Sequence, residues 1–505
     1  MPLLGSIVKS AIALKHNLTP SSAQPAVLQE EQLEKLLEKA ANTSFGLYHG
    51  FAQILNASDK IKAFREEVPI YDYDTMHRQW WKQQQHFPNI TWPGKPHYFA
   101  LSSGTTGKES KRIPVTDDML AAFRSVGIAQ VESLANFDLP AELFEKDVLM
   151  LSSSADLDEN NGHLEGEISG INTSNLPTWF GGFYKPGLDI AQIDDWDKRV
   201  KAITKKAPTW DVAALAGIPS WIQMLLEHII EAHQLDSIHD IWPNLSIYAS
   251  GGVAFEPYRE SLNKLMGKPM IYLDTYLASE GFLGFTARPG SMEMELALNH
   301  GIFYEFIPFD ERGFDETGQL LDDPLVLRLS EVQLDQDYAL LISTPAGAWR
   351  YMIGDTIKFT DLERYEMHIT GRTKYFLNVV GSQLSEEKMN DAITQLASHF
   401  GCDINEFGVA ALPDESEKYF HQWVLGTDAQ VDPTAVSEKL DELLKELNKN
   451  YKVARRKALS DIKVKMVPTK QLYNWLESTK KKGGQIKMPK VMKTEKMQEL
   501  LAFLS

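Results

Sequence analysis

Two apolar runs joined by one short helix constrain this chain more than any other feature. Leu245 to Phe255 (LSIYASGGVAF) stays apolar until Ser250-Gly251-Gly252, and Pro269 to Phe285 (PMIYLDTYLASEGFLGF) runs into Tyr276-Leu277-Ala278-Ser279-Glu280-Gly281. The segment between them, FEPYRESLNKLMG, reads as a helix. Strand, helix and strand in that order form a β-α-β unit, which requires a parallel sheet. Ligands of such sheets gather at the carboxyl ends of the strands, where both turns fall. A Gly-Gly turn lets a flat ring approach the backbone, an aromatic can stack on it, and a carboxylate can hold a magnesium ion. Either turn alone is equally a tight loop that needs small residues.

A second stretch, Leu101 to Thr116 (LSSGTTGKESKRIPVT), is suited to polyphosphate. Ser102 and Ser103 supply hydroxyls, Gly104-Thr105-Thr106-Gly107 allows backbone N–H groups to approach an anion, and Lys108, Lys111 and Arg112 bring charge. HYFAL before it reads as a strand, and TDDMLAAFRSVGIAQ after Pro114 as a capped helix. It is not the Walker-type loop, which has four residues between its glycines and a Ser or Thr after its Lys.

A chain of 505 residues exceeds one core and implies two or more domains. Its formal charge of -18 excludes a general nucleic-acid binder, although a local positive pocket still admits a nucleotide. Its one cysteine, Cys402, forms no internal disulfide and fits a cytoplasmic setting, packed in a C-terminal unit. No apolar run reaches membrane-spanning length, and the N-terminal MPLLGSIVKSAIALKHNL reads as an amphipathic helix.

Elsewhere, Leu33, Leu36, Leu37 and Ala40 share a helical face, and Trp80 and Trp81 read as helical anchors on a core. His163, Glu165 and Glu167 alternate and would share one face if extended, but a solvated polar loop is the stronger reading. In the helix opened by Pro219, Met224, Leu225, His228 and Ile229 form an apolar face, with His228 a packed core histidine. From Gly301 strands dominate, through GIFYEFIPF and PLVLRLSEVQLDQDYALLISTPAG to WRYMIGDTIKF, where Gly354 makes a turn before Asp355. VAALPDESEKYFHQWVL reads as a hairpin and TAVSEKLDELLKELNKNY as an amphipathic helix.

Taken in order, these motifs resemble those of the GH3 auxin-responsive family of acyl acid amido synthetases, within the acyl-adenylate-forming superfamily. SSGTT with Lys111 in tenth place is similar to the family's Ser-Ser-Gly-Thr-Ser loop, TYLASE to Thr-Tyr-Ala-Ser-Ser-Glu, and YMIGD to Tyr-Arg-x-Gly-Asp. Gly371-Arg372-x-Lys374 resembles the superfamily hinge, and Gln-x-Lys-x-Pro-Lys around Lys487 the family's Gln-Tyr-Lys-x-Pro-Arg ending. Met352 stands where the family has Arg, and Arg350 would face the same side of a strand.

The resemblance implies an α/β fold: a large N-terminal domain, residues 1–368, with mixed and parallel sheets flanked by helices, and a small α+β mobile lid, residues 369–505. It implies ATP and Mg2+. Ser102, Ser103, Gly104, Thr105, Thr106 and Gly107 would hold phosphate together with Ser279, and Gly251, Gly252 and Tyr276 would border the adenine. Asp355 and Arg372 would bind the ribose. Lys111, Glu280 with magnesium, and Lys487 would carry adenylation of a small carboxylic acid, whose acyl group then passes to the amine of an amino acid. Transfer to coenzyme A or another thiol, and a nucleotide-binding protein without catalysis, are the alternatives. A monomer or weak homo-oligomer without nucleic-acid or membrane partners completes the expectation. The acyl pocket is not legible, although Trp179, Phe180, Ile218 and Trp221 are candidates to line it.

Overall fold

The computed structural model describes residues 5–6, 9–12, 14, 24–102, 110–315, 318–373, 384–414, 419–457, 459–479 and 487–505. Its strands are β1 (Tyr98–Ser102), β2 (Lys111–Val115), β3 (Asp147–Leu151), β4 (Asp158–Asn160), β5 (His163–Gly166), β6 (Tyr184–Lys185), β7 (Val212–Gly217), β8 (Ile247–Gly251) and β9 (Ile271–Ala278), followed by β10 (Gly281–Phe285), β11 (Met294–Leu296), β12 (Phe303–Pro308), β13 (Asp337–Thr344), β14 (Ala348–Asp361), β15 (Glu366–Arg372), β16 (Glu406–Pro413), β17 (Tyr419–Gly426) and β18 (Leu459–Val467). The helices that matter below are α1 (Pro25–Ala40), α2 (Asp117–Ser133), α3 (Ile168–Ser174), α4 (Trp196–Lys206), α5 (Pro219–His233), α6 (Arg259–Leu265), α7 (Glu386–Phe400), α8 (Pro433–Leu447) and α9 (Thr494–Phe503).

One 11-stranded sheet, ordered β12-β13-β14-β15-β11-β10-β9-β8-β7-β3-β6, forms the backbone of the molecule. From β6 to β9 it is parallel, with α5 and α6 as crossovers, and from β9 to β12 antiparallel. The expected α/β architecture and its β-α-β unit are present. The parallel half rests on Leu215, Ile222, Leu225, Leu226 and Ile229, and the antiparallel half on a core that includes Leu33, Leu36, Leu37, Ala40 and Trp81. A four-stranded sheet, β2-β1-β5-β4, carries the β1–β2 hairpin, and a three-stranded sheet, β16-β17-β18, belongs to a C-terminal unit with its own core around Ile393, Phe407, Trp423 and Leu440.

Several sequence expectations are corrected. His163 and Glu165 lie on β5, 2% and 5% exposed, rather than in a solvated loop, because β5 pairs with β1 and turns that face inward. His228 is exposed; the buried face of α5 runs through Ile222, Leu225, Leu226 and Ile229, one position off the expected stripe. Gly354 makes no turn: β14 continues through it at φ 93°, with its register against β13 shifting between Met352 and Thr356, so Asp355 sits inside a strand paired with Arg372. The run PLVLRLSEVQ holds only a bridge, Phe306 to Leu327, and a short 3-10 turn at Leu329–Glu331 in place of a full strand.

Candidate active site

Side-chain contacts bring the carboxyl ends of β8 and β9 together with β14, β15 and the C-terminal unit, and the place where they meet is the candidate cleft. Tyr276, on β9, donates its OH to Asp355 Oδ2 at 2.7 Å, and Arg372 Nε lies 2.8 Å from Asp355 Oδ1. Both Asp355 oxygens are thereby oriented while each keeps acceptor capacity. Asp355 is buried, and its charge holds the Arg372 pKa up; burial, with Asp355 beside it, pushes the Tyr276 phenol far above its ordinary range.

Glu280 stands at the tip of the β9–β10 hairpin beside half-buried Ser279, at 7% exposure. Tyr351 donates to its Oε1 at a long 3.4 Å. Burial raises the Glu280 pKa, Lys111 opposes that rise, and Asp355 adds to it. Lys111 opens β2 opposite Ser102, with its Nζ 5.2 Å from the centre of the Tyr73 ring. Tyr73 OH also accepts the Arg112 N–H at 2.9 Å. The expected residues Ser103, Gly104, Thr105, Thr106 and Gly107, and Lys374 of the hinge motif, lie outside the described residues.

Beneath the loop hairpin the sequence reading missed a charged support. Glu165 Oε1 accepts from Arg112 Nε at 2.9 Å and Asn160 Nδ2 at 3.1 Å, and lies 2.9 Å from His163 Nε2. Burial works against the Glu165 charge, but these partners outweigh it and its pKa falls. The alternation of His163 with Glu165 was the available signal; it marks one face of a strand. Among the described residues, no group of three His, Cys, Asp or Glu side chains has the arrangement to hold a metal ion.

Gly251 and Gly252 border the cleft. A Cβ on Gly251 would stand 2.4 Å from Thr275 Oγ1, and one on Gly252, whose φ is 82°, 2.8 Å from Lys487 Nζ. Lys487 reaches across from the C-terminal unit and donates to the Gly252 carbonyl at 2.8 Å. It keeps solvent contact, yet the protein packed around it, with Arg372 near, pushes its pKa down. The flanking residues are docked: Met488 and Met492 are buried, Val491 bridges to Val409, and α9 follows. Glu386, which no motif singled out, opens α7 beside this cluster; burial lifts its pKa against the pull of Lys490 and Arg372.

Arg350 does not enter the cleft. Its Nε donates to Glu305 Oε2 at 3.0 Å and its Nη1 to the carbonyls of Arg65 and Val68. Met352 packs toward Ile307, Phe314 and Leu341, on a different face from Asp355. Position 352 therefore points away from the carboxylates, and Arg350 replaces nothing there. Of the acyl-pocket candidates, Ile218 is buried 3.6 Å from where a Gly252 Cβ would stand, Trp221 packs on Trp196, Phe180 on the small cluster around Tyr184, and Trp179 is 68% exposed.

Residues 14–207 match the GH3 family N-terminal domain, residues 296–372 the GH3 family central domain and residues 387–496 the GH3 family C-terminal domain, together more than half of the chain. The chain belongs to the GH3 family. Indole-3-acetic acid-amido synthetase GH3.15 of Arabidopsis thaliana is 22% identical, over 98% of this chain and 94% of that protein. Matches to other GH3 proteins are shorter: GH3.2 of Arabidopsis thaliana is 25% identical, over 32% of this chain and 31% of its own length. Jasmonoyl--L-amino acid synthetase JAR4 of Nicotiana attenuata is 31% identical over 24% of this chain and 21% of its own. The solved GH3.15 acyl acid amido synthetase superposes with a TM-score of 0.78 at 17% identity, covering 98% of this chain and 96% of that one. A 2-hydroxyisobutyryl-CoA ligase in its postadenylation state gives 0.59 at 12% identity, covering 96% and 93%. At these identities the superpositions establish a shared fold, that of GH3 and other acyl-adenylate-forming enzymes. No helix among the described residues is long and apolar enough to cross a membrane.

Proposed function

We propose that this GH3 protein is an ATP-dependent acyl acid amido synthetase. It activates a small carboxylic acid as the acyl-adenylate and passes the acyl group to the amine of an amino acid. The observation that carries the reading is the convergence of Asp355, Arg372 and Glu280 with a lysine from the C-terminal unit, Lys487, in one cleft.

In the first step a carboxylate oxygen attacks the α-phosphorus of ATP and pyrophosphate departs; in the second an amine attacks the activated carbonyl and AMP departs. The remaining acceptor sites on Asp355 suit two ribose hydroxyls, while Tyr276 and Arg372 hold its orientation. Gly251 and Gly252 would border the base in this reading, where a side chain on either would collide with Thr275 or Lys487. In this reading Ser102, Ser279 and the residues from Ser103 to Gly107 would hold the phosphates, and Lys111 and Lys487 would offset the charge that builds on them. Neither step requires a nucleophilic side chain from the protein.

Glu280 fits a magnesium ligand. It is a buried carboxylate with a raised pKa, and the long hydrogen bond from Tyr351 leaves acceptor capacity. Magnesium commonly takes one or two carboxylates together with substrate phosphates, and a cation there would supply charge neutralisation. The lid reading extends to rotation near residues 369 to 374, where Arg372 ends β15 and would touch the ribose. A single cysteine in the chain favours a reducing compartment, the cytoplasm.

The test is acid-dependent exchange of labelled pyrophosphate into ATP with magnesium, across aryl, indolic and fatty acids. Exchange with one acid class is expected, and Glu280→Ala should abolish it while the protein stays folded. Silence from folded protein that binds ATP would refute adenylation. Trapping the activated acyl group with amino acids or with coenzyme A then assigns the acceptor.

A further inference from the structure

Arg199 is the anomaly outside this machinery. It sits on α4 at 4% exposure, donates one Nη1–H to the Ser152 carbonyl at 3.1 Å, and leaves its buried Nε–H without a partner. Asp194 and Glu167 are near enough to favour its charge, but neither forms an ion pair with it, and burial pushes its pKa down. Beside it the buried Tyr184 OH lies against Ser152 and Thr173 without a hydrogen bond of good geometry. The same molecule shows how a structural arginine is treated: Arg350 has a carboxylate and two carbonyls. An unpaired buried guanidinium costs stability, and its fork of donors matches a carboxylate.

Its position is equally informative. Ser152 directly follows β3, whose end pairs with Gly217 of β7; Gly217 pairs with Ser250 of β8, next to the Gly251-Gly252 turn that Lys487 touches. Two strand spacings separate β3 from β8, roughly 10 Å along the sheet edge. Trp196, whose ring lies 5.4 Å from the guanidinium, packs on Trp221, three residues after Ile218. Glu167 is close enough to influence both Lys487 and Arg199. Arg199 thus lies under the same sheet edge as the Gly251-Gly252 turn beside which the adenylate is proposed to form.

We propose that Arg199, with Tyr184, forms a subsite for a free substrate carboxylate: a second acid group on the acyl acid, or the carboxylate of the acceptor amino acid. This rests on the amido synthetase reading above, which it sharpens by requiring a second anionic group.

The experiment uses the full-length protein as wild type, Arg199→Met, Arg199→Lys and Tyr184→Phe. Each is titrated calorimetrically, in the presence of ATP and magnesium, with dicarboxylic acids and their monomethyl esters and with amino acids and their methyl esters. Pyrophosphate exchange and amide formation are measured on the same pairs. Wild type should prefer the free carboxylate in one of the two sets by tenfold or more. Arg199→Met should erase that preference while its melting temperature holds or rises, since an unpaired buried charge is removed. Arg199→Lys should keep part of it, and Tyr184→Phe should weaken it several-fold. A preference seen in exchange assigns the acyl acid; one seen only in amide formation assigns the acceptor. No preference in wild type, or an unchanged preference in Arg199→Lys and Tyr184→Phe should Arg199→Met not fold, overturns the subsite. Absence of exchange with every acid would instead defeat the synthetase reading, while the titrations still decide what Arg199 binds.

Discussion

His421 offers a quantitative test of the C-terminal unit. It lies on β17 at 0% exposure, both ring nitrogens lack partners, and its ring stands 5.6 Å from that of Tyr451. Burial, reinforced by Arg455, pushes its pKa down to about 3. The unfolded ring titrates near 6.5. With the folded value depressed, the unfolded chain binds the extra proton between those limits, so this stability is present above about pH 6.5 and drains as the pH falls. The slope approaches about 1.4 kcal/mol per pH unit, which amounts to about 2 kcal/mol by pH 5. Leucine is of similar volume and has no polar atoms. His421→Leu should therefore stabilise the unit by about 1–3 kcal/mol at pH 7, the cost of unsatisfied buried groups. It should also flatten that acid slope. Urea unfolding of both proteins from pH 4.5 to 8 measures the difference directly. A destabilised variant whose stability falls as steeply with acid as the wild type would refute the reasoning.

Other predictions concern the charged network and the site. Arg350→Met should cost about 3–5 kcal/mol, because it removes one of two arginines on the buried Glu305; thermal melts with exchange kinetics on the folded fraction would show stability lost before chemistry. Met352→Arg should destabilise by about 1–3 kcal/mol through a charge placed against the cluster around Ile307 and Phe314, with no gain in exchange. An increase in exchange would return position 352 to the site. His368 on β15 lies 3.0 Å from Glu293 and 3.3 Å from Glu387 of α7, and these carboxylates raise its pKa to about 9. Since that value lies above the unfolded one, its stabilisation is complete below about pH 6.5 and lost as pH rises through 9. Solvent screening of this partly exposed group holds it to about 1 kcal/mol. His368→Gln should thus be less stable than wild type at pH 6 and match it near pH 10 in urea melts.

Much of the candidate site could be proposed from the sequence because its chemistry is local in sequence. Gly251 and Arg372 end strands, Glu280 sits in the β9–β10 turn and Tyr276 lies near the end of β9, while Asp355 lies inside β14; the hydrophobic runs between them fix the strands that aim them. His163 and Glu165 show where that reading stops. Alternation gave the shared face, but only pairing of β5 with β1 buries it and brings Arg112 to Glu165. Arg350 and Met352 show the same limit, since the irregularities of β14 determine which side chain faces which sheet surface, and spacing carries no record of them.

By itself, the order of apolar runs, glycine turns and charged motifs determined the α/β class and the segments that meet ATP in the proposed reaction, because backbone preferences and side-chain chemistry act over a few residues. What only the tertiary structure decided is which charges have partners. Lys487 reaches Gly252 from 235 positions along the chain, and Arg350 finds Glu305 across the sheet. Among the described residues Arg199 forms no ion pair with a carboxylate. Partnership depends on side chains approaching within a few ångströms through folding, a relation that linear spacing does not encode.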